Sequence, residues 1–361
     1  MTKEEKKLEL EVLKKQRNND IENGLTVYEA NDSTIRMNKL AHWPLFAGLK
    51  IQRFITGYKL HKLNEVPKYY FDENKNKLKT FERPVIFAPN HVRKKDIEMI
   101  LEAMKKHVIL LSGDFENVHG TLSGSLLEKN GIIYFDMEDH LDRKNVIEVE
   151  KQVLGKNNHI MKFYEAAWNL SPNLLVYNGY YSLVQTAIDT NALVIPVTFE
   201  QKVELDMSDK NVYIKFGEPI DYSEIFCEKD KVTGKRIKRN LSKDEKIKGL
   251  EILKQEIAKN LLEIIDKYSF IKRSDLEEKY KIKYTPKDYF TPDYKMKSSV
   301  EPYWDEYKKR VLSEWSFDEE DISKKHFVDK NITPKEEAFA HLDELNLNSN
   351  NAFLLSKRNH H

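Results

Sequence analysis

The chain has 361 residues, with 60 lysines and arginines against 59 aspartates and glutamates, and its formal net charge of +1 gives no overall field to draw in nucleic acid, which is not expected as a partner. The single cysteine, Cys227, excludes an internal disulfide framework and a cysteine-based zinc site, and suits a reducing compartment. No run approaches the roughly 20 uninterrupted apolar residues of a bilayer span, and residues 1–15 are charged throughout, so neither a membrane span nor a signal peptide is expected.

Residues 1–30 set Leu8, Leu10, Val12 and Leu13 among lysines and glutamates and meet the breaker Asn23-Gly24. This pattern predicts a surface helix. Residues 31–83 space Trp43, Phe46, Leu49, Phe54 and Tyr58 among Lys39, Lys50, Arg53, Lys59 and Lys62. That spacing predicts amphipathic helices, which suit either a lipid interface with anionic headgroups or packing on the protein's own core.

From Pro84 the texture changes to short apolar runs at 85–88, 107–111, 132–135, 160–164, 193–199 and 212–216, with helical patterns between them at 96–106, 122–129, 143–154 and 180–190. Alternation of this kind predicts an α/β domain over 84–226, a mostly parallel or mixed sheet covered by helices. Within 227–269 a lysine-rich connector leads to Ser242 and Glu245, a capping-box pair opening a long helix with Leu250, Leu253, Ile257, Leu261 and Ile264 on one stripe. Residues 270–361 read as a largely helical appendage to which the pattern assigns no function.

The strongest local signal for chemistry is the run Pro89-Asn90-His91-Val92-Arg93-Lys94-Lys95-Asp96 between a predicted strand and a predicted helix, the junction at which parallel sheets place ligands. A carboxylate about one turn from an imidazole selects the tautomer whose other nitrogen accepts a proton from an alcohol, which would make His91 a general base oriented by Asp96. Taken alone this spacing is weak. The remaining histidines show no metal-ligand spacing and no metal is expected, while the absence of a G-x-S-x-G elbow speaks against a hydrolase.

In company with three further blocks, however, the run resembles the glycerolipid acyltransferase family, which includes the 1-acylglycerol-3-phosphate acyltransferases. Asn90-His91 with Asp96 matches the family's N-H-x4-D motif. Gly131-Ile132-Ile133-Tyr134-Phe135-Asp136 is similar to the strand before its acceptor-phosphate arginine. Phe163-Tyr164-Glu165-Ala166-Ala167-Trp168 is similar to its F-P-E-G-T element, and Val194-Ile195-Pro196-Val197 with Phe216-Gly217-Glu218-Pro219-Ile220 to its closing strands.

The resemblance implies transfer of a fatty acyl group from an acyl-CoA or acyl-ACP thioester to a hydroxyl of a lysophospholipid or related glycerolipid. It implies no cofactor beyond that co-substrate, and a cytoplasmic, peripheral location at the inner membrane surface. It also implies that Asn90 and Glu165 help to bind or place the substrate and that Pro196 shapes the substrate channel. Met137 and Trp168 stand where the family carries arginines, so acceptor charge would have to come from Arg143, Lys162 or the run Arg93-Lys94-Lys95, with Trp168 lining or stacking on the acceptor. The alternatives are a non-phosphate acceptor, lipid or glycan, and an inactive scaffold that keeps the fold.

Overall fold

The structure is a computed structural model that describes residues 2–29, 42–91, 96–136, 139–165, 181–201 and 210–268. Two helices come first, α1 (Lys3–Glu22) and α2 (His42–Thr56), then strand β1 (Lys59–Lys62) and a small hairpin of β2 (Tyr69–Phe71) and β3 (Lys77–Lys79). The alternating part follows: β4 (Val85–Pro89), α3 (Asp96–Met104), β5 (Ile109–Ser112), α4 (Phe115–Val118), α5 (Leu122–Asn130), β6 (Ile132–Tyr134), α6 (His140–Gly155), β7 (Ile160–Met161), α7 (Ser182–Thr190) and β8 (Leu193–Gln201). β9 (Asn211–Phe216), α8 (Tyr222–Phe226) and α9 (Lys243–Tyr268) complete the described chain.

Seven strands form one sheet in the order β1-β9-β8-β4-β7-β5-β6. The five from β8 to β6 run parallel; β9 is antiparallel to β8, and β1 runs alongside β9. β4 lies in the interior, and every residue of Val85–Pro89 is buried. A continuous apolar run of this kind is what a strand covered on both faces requires. Leu45 and Leu49 of α2, Ile100 of α3 and Leu127 of α5 pack on one face. Val149 and Val153 of α6, Leu183 of α7 and Leu253 of α9 pack on the other. The expected α/β sheet is therefore present; the appendage expected over 270–361 lies outside the described residues.

The chain moves from β4 outward to β5 and β6, then returns through β7, beside β4, to β8 on the far side of β4. Helices α3 and α7, which follow the neighbours β4 and β7, thus join opposite cores. The carboxyl ends of β4 and β7 flank a topological switch point, where open α/β sheets bind ligands.

The pair of amphipathic helices expected over 31–83 is corrected. Among the described residues α2 is the one α-helix there, with a single 3-10 turn at Thr80–Glu82. Gly57, at φ +74°, ends it, and Lys59–Lys62 joins the sheet on β9 instead. β1 alternates exposed and half-buried residues, too polar a pattern to announce a strand. The sheet consequently begins well before residue 84, and α9, opened by the Ser242–Glu245 capping box, packs on β8 as part of the same body.

Candidate active site

β4 delivers Asn90 and His91 to the rim, and neighbouring β8 fixes the exit angle. The Asn90 amide nitrogen donates to the Phe199 carbonyl at 3.0 Å, while its side-chain oxygen accepts the Phe199 N–H at 2.8 Å. The side chain thereby pairs with β8 as a backbone would. Asn90 is 1% exposed, so both bonds are shielded from water and hold the strand end firmly. These bonds give Asn90 a positioning part, holding the end of β4 against β8.

His91 is gripped from two sides. Its backbone N–H donates to Glu165 Oε2 at 2.8 Å, and its Nδ1 lies 2.7 Å from Asp96 Oδ2. Asp96 opens α3, where the helix dipole favours a carboxylate, and is fully buried. The imidazole also packs on the Phe163 ring at 4.1 Å between centroids. An acceptor-only carboxylate on Nδ1 selects the tautomer with its proton there, which leaves the Nε2 lone pair as the proton acceptor. Such a ring can serve as a general base while its carboxylate partner stabilises the imidazolium that forms.

Residues 59–200 match the acyltransferase family model. Over that segment the match agrees with the acyltransferase resemblance read from the sequence. A solved structure similar in part to this chain is the 1-acyl-sn-glycerophosphate (LPA) acyltransferase PlsC from Thermotoga maritima, at 14% identity and a TM-score of 0.41, over 60% of this chain and 78% of that one. No curated protein matches the chain.

Within the matched segment the structure brings together His91, Asp96, Asn90 and Glu165. Glu165, expected to place acceptor, instead accepts the His91 backbone N–H, and Tyr164 Oη lies 3.3 Å from its other oxygen. Lys162 is held by the buried Glu150 of α6 at 2.7 and 3.0 Å. Burial raises the Glu150 carboxyl pKa, against the pull of Lys162. That pair joins β7 to the helix beneath it, so Lys162 is not the loose cation an acceptor phosphate would need. Arg143 stands half-buried in the first turn of α6.

Pro196 lies inside β8, where a missing N–H is tolerated only at an irregularity. The antiparallel pairing with β9 breaks beside it: Gly217 N–H reaches the Pro196 carbonyl at 2.8 Å, and regular exchange resumes only at Val194 and Ile220. A Cβ on Gly217 would stand 3.0 Å from the proline ring, so the two residues fit as a pair. Pro196 thus sits at a seam in the sheet, opposite Ala88 of β4. Trp168, Met137 and the run Arg93-Lys94-Lys95 lie outside the described residues. Among those described, α1 supplies two cations to the same rim that sequence reading had not marked, Lys14 and Arg17.

Proposed function

We propose that this chain is an O-acyltransferase that moves a fatty acyl group from an acyl-CoA or acyl-ACP thioester to a hydroxyl of a glycerolipid. The observation that carries the reading is the 2.7 Å contact between His91 Nδ1 and the fully buried Asp96, at the carboxyl end of an interior strand. His91 Nε2 takes the acceptor hydroxyl's proton as the oxygen attacks the thioester carbonyl. The tetrahedral intermediate then breaks its C–S bond, and the departing thiolate takes the proton back from the imidazolium. No covalent acyl-enzyme and no cofactor beyond the co-substrate enters these steps. Asp96 keeps its charge throughout, Asn90 and Glu165 hold the His91 backbone, and positioning supplies the rest of the acceleration.

The outer face of α2 supports a lipid-borne acceptor met at the inner membrane surface from the cytoplasmic side. Trp43, Ile51, Phe54 and Ile55 are 77%, 60%, 87% and 76% exposed. The helix His42–Thr56 carries no acidic residue, and Lys50 is exposed beside the stripe. Apolar side chains beside cations are what an interfacial helix requires. α2 runs toward the catalytic rim, because β1 begins right after it with Lys59 opposite Asn211, at the end of the sheet where β8 finishes. No helix among the described residues is long and apolar enough to cross a membrane.

One observation favours a second reading of the acceptor. With Lys162 bound to Glu150 and methionine rather than arginine at position 137, a neutral lipid or glycan hydroxyl fits better than a phosphate monoester. The deciding experiment is thiol release from acyl-CoA or acyl-ACP in the presence of a total lipid extract, with His91→Ala beside the native chain and products read by mass spectrometry. Release that requires acceptor and disappears in the variant supports the transferase and identifies the acylated lipid. Release without acceptor indicates a thioesterase, and thioester binding without turnover indicates an inactive scaffold.

A further inference from the structure

β6 is the last strand of the sheet on its side. Gly131 O and Phe135 N–H bond inward to Leu110 and Ser112 of β5. In a strand the groups of alternate residues face opposite edges, so the Tyr134 carbonyl and the Asp136 N–H face outward, where a neighbouring parallel strand would satisfy both with one residue. Among the described residues no strand lies there. Arg17 of α1 donates to the Tyr134 carbonyl, and Asp142 of α6 accepts the Asp136 N–H at 2.7 Å. Arg17 and Asp142 also bind one another, with side chains 4% and 2% exposed. A buried ion pair thus stands in for the missing strand residue.

Further contacts bring α1 to the same place. Lys14 bridges Asp136 and Asp139 at 2.9 and 2.8 Å. Burial works against its ammonium, but these carboxylates and Glu11 raise its pKa above the ordinary lysine value. Asn145 of α6 donates to Asn18 at 3.1 Å. Lys14 and Arg17 thus pin the residues that follow β6, on the rim where β4 presents His91.

We propose that Arg17 is a positioning residue for substrate binding, and that α1, which precedes the segment 59–200, forms a wall of the substrate site on the side farthest from the reacting atoms. The proposal rests on the acyl-transfer reading of His91. Three strand spacings separate β6 from β4, roughly 14 Å. The end of β6 is therefore too far away to touch the thioester carbonyl and within reach of the remote part of an extended lipid. A wall at that distance contributes to binding rather than to proton transfer.

The test compares the native chain with Arg17→Lys, which keeps the charge, and with the double variant Arg17→Met/Asp142→Leu. The double variant removes both charges together, so no lone buried charge is left to unfold the protein. Acceptor KM and kcat are measured in the full chain, with amide exchange at Asp136 as a readout independent of activity. Expected in the double variant are a rise in acceptor KM of about tenfold, kcat within about twofold of native, and faster exchange at Asp136; Arg17→Lys falls between. An unchanged KM, or a loss confined to kcat, overturns the proposal. If the native chain transfers no acyl group, the reading of His91 fails, and the proposed role in substrate binding is overturned with it. Exchange at Asp136 then shows separately whether the ion pair holds the rim.

Discussion

Asp96 and Asp142 are built alike and used differently. Each is a carboxylate near the start of a helix, 0% and 2% exposed, and each holds one nitrogen-bearing partner delivered to the same rim. Asp142 completes its hydrogen bonding on backbone: with Arg17 it satisfies the outward edge of β6. Asp96 instead holds one nitrogen of an imidazole whose second nitrogen is an acceptor. Guanidinium never gives up its proton at working pH and can only bind, whereas imidazole exchanges its proton near neutrality and can react. The partner, rather than the carboxylate, separates the chemical site from the structural one.

The sharpest way to break the comparison is to remove each partner in turn. His91→Ala should lower acyl transfer by about a hundred- to ten-thousand-fold, a loss of rate in the protein that remains folded, as followed by thiol release and a melting curve. Arg17→Met alone should do the reverse. It strands a buried aspartate and should cost about 3–5 kcal/mol of stability in urea titration, with kcat retained and the acceptor KM raised in the fraction that stays folded.

A smaller effect is expected on α2, where neither pair reaches. Phe54→Ser/Ile55→Ser should weaken sedimentation with anionic vesicles by roughly tenfold or more, since each large apolar side chain contributes about 1.5–3 kcal/mol when buried. The melting curve should hardly move, because both side chains stand in solvent. Unaltered vesicle binding would remove α2 as the lipid contact. The smallest effect concerns Asp139, whose carboxyl is held below its ordinary 3.8 chiefly by the Lys14 hydrogen bond and the Asp142 N–H. A depressed carboxyl stabilises fully above the unfolded value and loses that contribution as pH falls through the folded one. Acid titration should therefore loosen α1 only below about pH 4, and Asp139→Asn should remove that step.

What was legible in the sequence follows from distance along the chain and from apolarity. His91 and Asp96 are five residues apart across a strand-to-helix junction, so a local motif could reveal them. The apolar runs that became β4, β8 and β9 announced themselves because both of their faces are covered. β1 was hidden by its lysines, and its partner residues come much later in the chain. Arg17 and Asp142 stand 125 positions apart, and no spacing rule links a surface-helix arginine to a helix start so far away. Asn90 and Lys162 were visible without their bonds to Phe199 and Glu150, since sequence marks a polar residue near a site without saying whether its hydrogen bonds go to ligand or to protein.

The placement of β1 bears on how the chain assembles during synthesis. Lys59 pairs with Asn211 and Lys62 with Ile214, and among the described residues β9 is the only strand beside β1 in the sheet order. β1 therefore emerges from the ribosome long before the strand that receives it, and cannot dock until β8 and β9 have followed. Long-range closure of this kind is slow. For that interval the sheet is open at this edge, and the apolar inner face of α2 stays without the complete core that later covers it. The segment 59–200 ends before β9. Made alone it would keep that edge open permanently and should aggregate, although it contains the entire His91–Asp96 pair.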